Sequence, residues 1–271
     1  MEEISAAVVM KLRNKTGLSM MECKKALVKA GGDMEKAEDN LRKEMKGKLD
    51  SKGDKGAGEG RVAIAIGAGS ASIIELRANT DFTARNEMFI KAAQQCAEFG
   101  LTQPAGNFVL SGAVAAMIDE LRAQTGETIA IARAMHIAGG EGITFGQYVH
   151  HDGKTGALIR AEGAIAADQL RQIGMHIVAA VPTPKGVTAQ DIPAEIVTRE
   201  RNFRIEQAVE SGKPKEIAEK MVEGGMRKFF EEIALTEQPY VIDPTKKVKE
   251  ILGTAKIHAF WRWAVGESTS N

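Results

Sequence analysis

Cysteine is scarce in this sequence: the 271 residues contain only Cys23 and Cys96. Neither residue belongs to a Cys-x-x-Cys pair, and both lie in stretches whose apolar residues have helical spacing. Disulfide frameworks and zinc sites generally need more cysteines at closer spacing. We therefore expect both thiols to be reduced and buried, as in a protein of the cytoplasm.

Aromatic residues and long apolar runs are also scarce. Aromatics make up 5% of the chain, so Ala, Val, Ile, Leu and Met must supply the core. No apolar run reaches about 18 residues, the length that spans a bilayer. The acidic start, Met1-Glu2-Glu3-Ile4, differs from a signal or transit peptide. These features predict a cytoplasmic protein that makes no membrane contact.

An excess of charge of either sign is missing, because 36 Lys and Arg residues balance 36 Asp and Glu residues. Proteins that bind nucleic acids or membrane surfaces generally carry a basic excess. The balance therefore predicts no general nucleic-acid binding, although a local basic patch is compatible with it.

Two segments resemble nucleotide-binding motifs but depart from them. Residues 67–72 begin like a dinucleotide fingerprint, but Ser72 replaces the third glycine and β-favouring residues follow. Gly153-Lys154-Thr155 resembles the end of a phosphate loop, but Tyr148 occupies the position of its first glycine. We interpret both segments as hairpin turns. A nucleotide-dependent enzyme built on one of them is the alternative.

Signatures of metal and nucleophilic catalysis are missing as well. His150 and His151 are adjacent, and neighbouring residues of a strand point to opposite faces, so they are not expected to share a metal ion. The sequence contains neither His-Glu-x-x-His nor Gly-x-Ser-x-Gly. We therefore predict a protein without catalytic residues, metal or cofactor.

The first part of the chain has the pattern of three short helices, followed by a linker. We predict a helical domain over residues 1–45, with Ser19 beginning the second helix and Asp33 the third. Gly, Lys and Asp then dominate residues 46–60, which is typical of a flexible linker.

Two regions repeat a plan of a hairpin followed by a helix, which predicts an α+β fold. The first occupies residues 61–143, with strands near 61–67 and 71–78 and helices through 89–99 and 113–125. The second occupies residues 144–181 and 229–267. Its strands are expected near 145–151 and 157–163, with further strands at 240–242 and 258–265.

Residues 182–228 interrupt the second region with two charged helical stretches, Pro193–Glu210 and Pro214–Phe230. A short connection and one sparse apolar seam per helix predict an antiparallel coiled-coil arm. The expected seam consists of Ile196, Phe203 and Val209 on one helix and Ile217, Met221 and Val222 on the other. Residues 268–271 form a polar tail.

Several segments, in order, resemble the elongation factor Ts family. They are Leu12–Leu27, Gly32–Arg42, Thr80–Phe89, Ser211–Gly224 and Gln238–Val241. The resemblance covers residues 1–267 and implies an N-terminal domain like the ubiquitin-associated (UBA) domain, two α+β subdomains and the arm. It implies a cytoplasmic factor of protein biosynthesis, acting in translation elongation.

The implied activity is guanine nucleotide exchange on elongation factor Tu, without covalent chemistry and without direct nucleotide binding. Thr80, Asp81 and Phe82 would disturb Mg²⁺ coordination in that partner, with Phe82 as an exposed wedge. From the residues alone, an Asp81 helix cap with Phe82 in the core is an equal alternative. A scaffold that binds the partner without accelerating release is a further one.

The resemblance assigns further partner contacts. Arg13, Met20 and Met21 would touch a helix of the GTPase domain, and His150 would approach its phosphate-binding loop. Val241 and Ile242 would also touch the partner. From the residues alone, Arg13, Met20 and Met21 are interpreted as small-domain core and His150 as an ordinary strand histidine. Val241 and Ile242 are interpreted as a buried strand.

Two features depart from the family pattern, and one question stays open. Thr125 stands where the family can carry a larger aliphatic contact, and the tail after Glu267 is short for an added helical contact. The arm could support a homodimer or bind other partners, and the sequence does not decide between them.

Overall fold

A computed structural model describes residues 4–16, 20–41, 57–210, 212 and 214–267. It combines helices with antiparallel sheets, which confirms the α+β class. The chain divides into two compact units, one within residues 1–65, 72–136 and 265–271 and the other within 66–71 and 137–264.

Three helices form the N-terminal part of the first unit: α1 (Ala6–Thr16), α2 (Met20–Lys29) and α3 (residues 34–41). The Lys36 N–H donates to Asp33 Oδ1 at 3.1 Å, which confirms Asp33 as the cap of α3. The predicted cap Ser19 lies outside the described residues. The buried residues of this cluster are Val9, Leu12, Cys23, Ala26, Leu27, Ala37 and Leu41.

The end of the predicted linker is wrong, because strand β1 already begins at Glu59 and runs to Gly67. Within this strand, position 60 needs a glycine, because a Cβ there would collide with the carbonyl oxygen of Leu76. A glycine that the composition assigned to a linker is therefore required by close backbone packing. Residues 46–56 of the predicted linker lie outside the described residues.

A four-stranded sheet has the order β1-β2-β4-β3, with β2 at Ser70–Ala78, β3 at Gly106–Asn107 and β4 at Ala130–Ala138. Three helices accompany it: α4 (Asp81–Ala84), α5 (Glu87–Gly100) and α6 (Gly112–Thr125). Phe89 and Cys96 of α5 and Ile118 and Leu121 of α6 contribute to one buried cluster. The predicted hairpin and helices are present, but the sequence interpretation missed β3 and β4.

The second unit contains the three-stranded antiparallel sheet β5-β6-β7, with strands Ile143–Val149, Thr155–Glu162 and Lys256–Ala264. Helix α7 (Ala167–Ala179) packs its Leu170, Ile173 and Ile177 into the cluster beneath the sheet. Gly153, with φ 73°, lies in the turn between β5 and β6. The interpretation as a hairpin turn is therefore confirmed for Gly153 and Lys154, with Thr155 beginning β6, and for residues 68–69, the turn between β1 and β2.

The predicted strand at residues 240–242 is wrong, because these residues form a loop. The Tyr240 N–H donates to the Lys246 carbonyl at 2.8 Å, so the loop closes on itself. Pro239 and Pro244 flank the segment and have no N–H to extend a ladder. The strand that pairs with β6 is β7.

Two long helices, α8 (Ala194–Glu210) and α9 (Lys215–Ile233), pack against each other. Ala208, Val222 and Met226 are buried in one cluster between them. The predicted seam is wrong at Phe203, Val209, Ile217 and Met221, all of which are exposed. The small Ala208 side chain and Gly225, which faces Arg204, line the contact instead.

A short helix, α10 (Val248–Ile251), precedes β7. Among the described helices, none is both long and apolar enough to cross a membrane. Apart from the end of the linker, the predicted domain boundaries stay predictions, as do the UBA-like character of α1–α3 and the coiled-coil character of α8 and α9.

Candidate functional site

The segment that joins β2 to α5 presents Thr80, Asp81 and Phe82. Thr80 caps the single-turn helix α4, because the Thr83 N–H donates to Thr80 Oγ1 at 3.3 Å. The alternative in which Asp81 caps the helix is therefore wrong. Asn86 begins α5 in the same way, accepting from the Met88 N–H at 2.8 Å.

Phe82 is 81% exposed, whereas the next two residues, Thr83 and Ala84, are buried. The single turn therefore buries one side and directs the phenyl ring into solvent. Burying such a ring is worth about 1.5–3 kcal/mol relative to leaving it exposed. A fully presented aromatic side chain is typical of a protein interface rather than of a core.

Asp81 adds a negative charge beside the exposed ring. Its carboxylate lies 3.6 Å from the guanidinium of Arg85, one turn later, and both side chains are largely exposed. Exposed ion pairs of this kind contribute about 0–1 kcal/mol. The carboxylate can therefore exchange Arg85 for another partner at small cost.

His150 lies in the turn that follows β5 and is half-buried. Its Nδ1 is 3.2 Å from the Tyr148 hydroxyl, and its ring centroid is 4.3 Å from that of His151. The expectation that the two histidines point to opposite faces is wrong, because β5 ends at Val149 and the turn brings the rings together. Among the described residues there is still no group of three or more potential metal ligands.

Val241 and Ile242 lie in the loop of residues 240–242 and are 43% and 48% exposed. The Val241 N–H donates to Nδ1 of the buried His176 at 3.1 Å. His176 must then carry its proton on Nε2, which lies 3.0 Å from Oε1 of Gln238. Burial lowers the pKa of His176, although the hydrogen bond to Gln238 acts in the opposite direction.

A cleft of about 670 Å³ opens beside this loop. Its lining combines apolar atoms of Ala179 and Pro182 with charged side chains such as Lys228 and Glu237. Glu237 is engaged by Lys247 and Lys249, whose hydrogen bonds lower its pKa. Lys247 lines the cleft as well, so the lining combines this ion pair with apolar surface.

Arg13, Met20 and Met21 are exposed on α1 and α2. None of them belongs to the buried cluster of the three helices, so the alternative that places them in a small-domain core is wrong. Met21 also lines a shallow surface with Lys24, Lys25 and Val28. Flexible methionine side chains suit an adaptable contact surface.

The buried charge of the first unit has a structural explanation. Glu75 on β2 is fully buried between Arg77 and Arg133, at 2.7 and 2.6 Å, and also accepts the Gly266 N–H at 3.0 Å. Both oxygens of this carboxylate are therefore engaged by partners within the unit.

The chain is similar to the proteins of one known family. The model of the family described as Elongation factor TS matches residues 79–267. Elongation factor Ts of Pasteurella multocida is 41% identical over 98% of this chain and 93% of its own length. The factors of Histophilus somni and Haemophilus influenzae are 40% identical over the same shares.

The chain belongs to the elongation factor Ts family. This membership gives it a role among the elongation factors of protein biosynthesis. The residues matched by the family model include the segment with Thr80, Asp81 and Phe82, the turn with His150 and the loop with Val241.

One further residue beside this segment, Glu127, was not indicated by the sequence. Its carboxylate accepts the Thr80 hydroxyl at 2.6 Å, across 47 positions of sequence. The helix-ending Gly126 before it is the only local signal, and it marks a turn without indicating what the turn approaches.

Proposed function

We propose that this member of the elongation factor Ts family is a guanine nucleotide exchange factor. It binds elongation factor Tu in its GDP-bound form and accelerates the release of GDP. The observation that carries the proposal is the exposure of Phe82 on a short capped turn. No covalent step is required, and the chain itself need not bind the nucleotide.

Differential affinity is the physical requirement for this activity. The factor must bind the nucleotide-free partner more tightly than the GDP-bound partner, since a ligand shifts an equilibrium only by its difference in affinity. Apolar contacts made only after the nucleotide site opens supply such a difference. An aromatic side chain that is exposed in the free factor is suited to this role.

Phe82 would enter the GTPase domain near its Mg²⁺ site. In nucleotide-binding GTPases, Mg²⁺ neutralises charge on the phosphates, so disturbing its coordination weakens GDP binding. Thr80 supports the turn from which Phe82 projects, and the adjacent Asp81 carboxylate offers a charged partner for groups around the metal.

The remaining contacts would anchor the factor around this wedge. His150 would approach the phosphate-binding loop, and Arg13, Met20 and Met21 would hold a helix of the GTPase domain. The exposed loop of Val241 and Ile242 would add a further apolar contact. The exposure of these residues, partial for His150, supports the assignment.

The finer architecture belongs to the same proposal. We expect α1–α3 to act as a UBA-like domain, and α8 and α9 to act as a coiled-coil arm that supports a homodimer or another partner. We expect the factor to work in the cytoplasm, where Cys23 and Cys96 would remain free and buried as they are in the structure.

Stopped-flow release of a fluorescent GDP analogue from elongation factor Tu tests the proposal. The intact chain should accelerate release. With Phe82→Ala the maximal rate of release should be at least about tenfold lower, as expected for the loss of one buried aromatic contact. Phe203→Ala is the matched control, because Phe203 is also an exposed phenylalanine but lies on α8. It should retain the full rate.

Each outcome separates the alternatives. Equal acceleration by the intact chain and Phe82→Ala would leave the exchange function in place and remove the wedge. Binding without any acceleration would indicate a scaffold. Direct binding of GDP by the isolated chain would reopen the nucleotide-dependent enzyme.

A further inference from the structure

The turn after α6 places an acidic side chain against the end of β2. Gly126 has φ 70° and ends α6, with its N–H donating to the Arg122 carbonyl at 2.9 Å. A glycine is needed because other residues rarely adopt this left-handed conformation. The chain reverses there, and Glu127 is the first residue after the reversal.

The Glu127 carboxylate accepts four hydrogen bonds from the segment that carries Phe82. Its Oε2 accepts the backbone N–H groups of Asn79 and Thr80 at 3.1 and 3.2 Å. Its Oε1 accepts the hydroxyls of Thr80 and Thr83 at 2.6 and 2.7 Å. In return, Asn79 Oδ1 accepts the Thr128 N–H at 2.6 Å, so the two segments are bonded in both directions.

These contacts replace the stability that α4 lacks by itself. A helix of four residues is too short to hold its own conformation, because nucleating a helical turn is unfavourable. Phe82 itself is exposed, so its surroundings fix it weakly. The position of the ring therefore depends on the backbone of Thr80 and on the turn that Thr80 caps.

The hydrogen bonds also keep the carboxylate charged. Partial burial acts to raise the pKa of Glu127, but the hydrogen bonds from Thr80, Thr83 and Asn79 outweigh it and leave the pKa below 4.5. Glu127 is thus a charged acceptor at neutral pH, and hydrogen bonds to charged acceptors are the stronger kind.

We propose that Glu127 is a positioning residue for nucleotide exchange: its carboxylate fixes the Thr80 cap and so holds Phe82 ready to enter the partner. This inference rests on the proposed exchange function. It assigns to Glu127 no contact with the partner, because its carboxylate is already occupied by four donors.

The variant Glu127→Gln tests the role with almost no change in shape. Glutamine removes the charge, and its amide nitrogen donates instead of accepting, so a bond to a backbone N–H would be lost or a bond to a threonine hydroxyl would have to reverse. The maximal rate of GDP release should fall about tenfold, the effect of one hydrogen bond to a charged group. The concentration of factor that gives half the maximal rate should change less.

Glu120→Gln is the matched control, because Glu120 is an exposed carboxylate on the neighbouring helix α6. It should retain the rate of the intact chain. Thr83→Val removes one donor to Glu127 and should lose about threefold, whereas Thr83→Ser keeps the hydroxyl and should stay near the intact rate. These milder variants test the inference even where Glu127→Gln lowers the stability of the fold.

Combining Glu127→Gln with Phe82→Ala distinguishes positioning from a separate effect. If Glu127 acts through Phe82, the double variant should release GDP as slowly as Phe82→Ala and no more slowly. Two losses that multiply would overturn the inference, as would an unchanged rate in Glu127→Gln. Absence of acceleration by the intact chain would instead remove the proposed function, and with it this role of Glu127.

Discussion

At the scale of single residues, His176 shows how a buried side chain can fix an exposed loop. Its Nδ1 accepts the Val241 N–H, and Gln238, its other partner, donates to the carbonyls of Pro182 and Glu232 at 2.8 and 2.7 Å. Only neutral imidazole can accept the N–H of Val241, since both nitrogens of the cation are donors. Protonation of His176 is therefore incompatible with the loop as it stands.

Stability should consequently fall when the pH is lowered past the ordinary pKa of histidine. Burial lowers the pKa of His176 from 6.5 in the folded protein, against the hydrogen bond to Gln238. As the pH falls through 6.5, His176 becomes protonated in the unfolded chain but stays neutral in the folded chain. The stabilisation that the neutral imidazole contributes is therefore complete above that pH. It is lost progressively as the pH falls towards the lower folded value.

Urea unfolding between pH 7.5 and 5.5 measures this effect. The midpoint of the intact chain should decrease with falling pH, and His176→Gln should be less stable at pH 7.5 with a shallower dependence. His151→Gln, at an exposed histidine, should keep the slope of the intact chain. A slope that survives unchanged in His176→Gln would assign the dependence to another group.

The residue scale also shows what the sequence could predict of the site. Resemblance identified Thr80, Asp81 and Phe82, but only the structure shows that Thr80 caps the turn and that Phe82 is exposed. Glu127 could not be predicted, because its contacts cross 47 positions and leave no periodic pattern. Local spacing predicts local contacts, whereas a turn brings together residues that spacing cannot relate.

At the scale of elements, periodicity predicted the strongly patterned segments. The two hairpins and helices α5, α6 and α7 follow alternating or helical spacing of large apolar residues. Strand β4 was missed because alanine occupies four of its nine positions, where large residues would signal alternation. The strand expected at residues 240–242 failed for the opposite reason: its large apolar residues are mostly exposed.

The helix pair α8 and α9 offers a direct test of which side chains make the contact. Met226 is 3% exposed in the contact, whereas Met221, which the sequence placed in the seam, is 43% exposed. Met226→Ala should destabilise the pair by about 2–4 kcal/mol through loss of buried volume. Met221→Ala should cost less than about 0.5 kcal/mol.

Amide hydrogen exchange across residues 194–233 reports this difference without requiring the whole chain to unfold in one step. Faster exchange in Met226→Ala than in Met221→Ala is the expected result. The reverse order would restore the predicted seam and contradict the packing around Ala208.

At the scale of the whole molecule, an exchange factor works through surfaces rather than through a pocket that holds a substrate. The segments assigned to the partner are at least partly exposed and lie on α1, α2 and α4, after β5 and in the loop before α10. The described residues around them hold no metal-ligand cluster. In the proposed exchange activity, binding free energy is the means by which the protein acts on the nucleotide.

The last prediction follows from thermodynamic linkage and concerns binding by the chain as a whole. If the chain weakens GDP binding to elongation factor Tu by a given ratio, GDP must weaken binding of the chain to elongation factor Tu by the same ratio. Coupling of about 1–3 kcal/mol, or roughly 5–150-fold, is typical of linked sites. Titration calorimetry of the chain into nucleotide-free and GDP-saturated partner gives one ratio, and GDP binding with and without the chain gives the other.

The two ratios must agree for the intact chain, whatever their size. Phe82→Ala should reduce both together, since the wedge is proposed to contact the partner better when GDP is absent. Phe203→Ala should leave both unchanged. A chain that binds the two forms of elongation factor Tu equally could not displace GDP at equilibrium however tightly it bound, and this result would replace exchange with scaffolding.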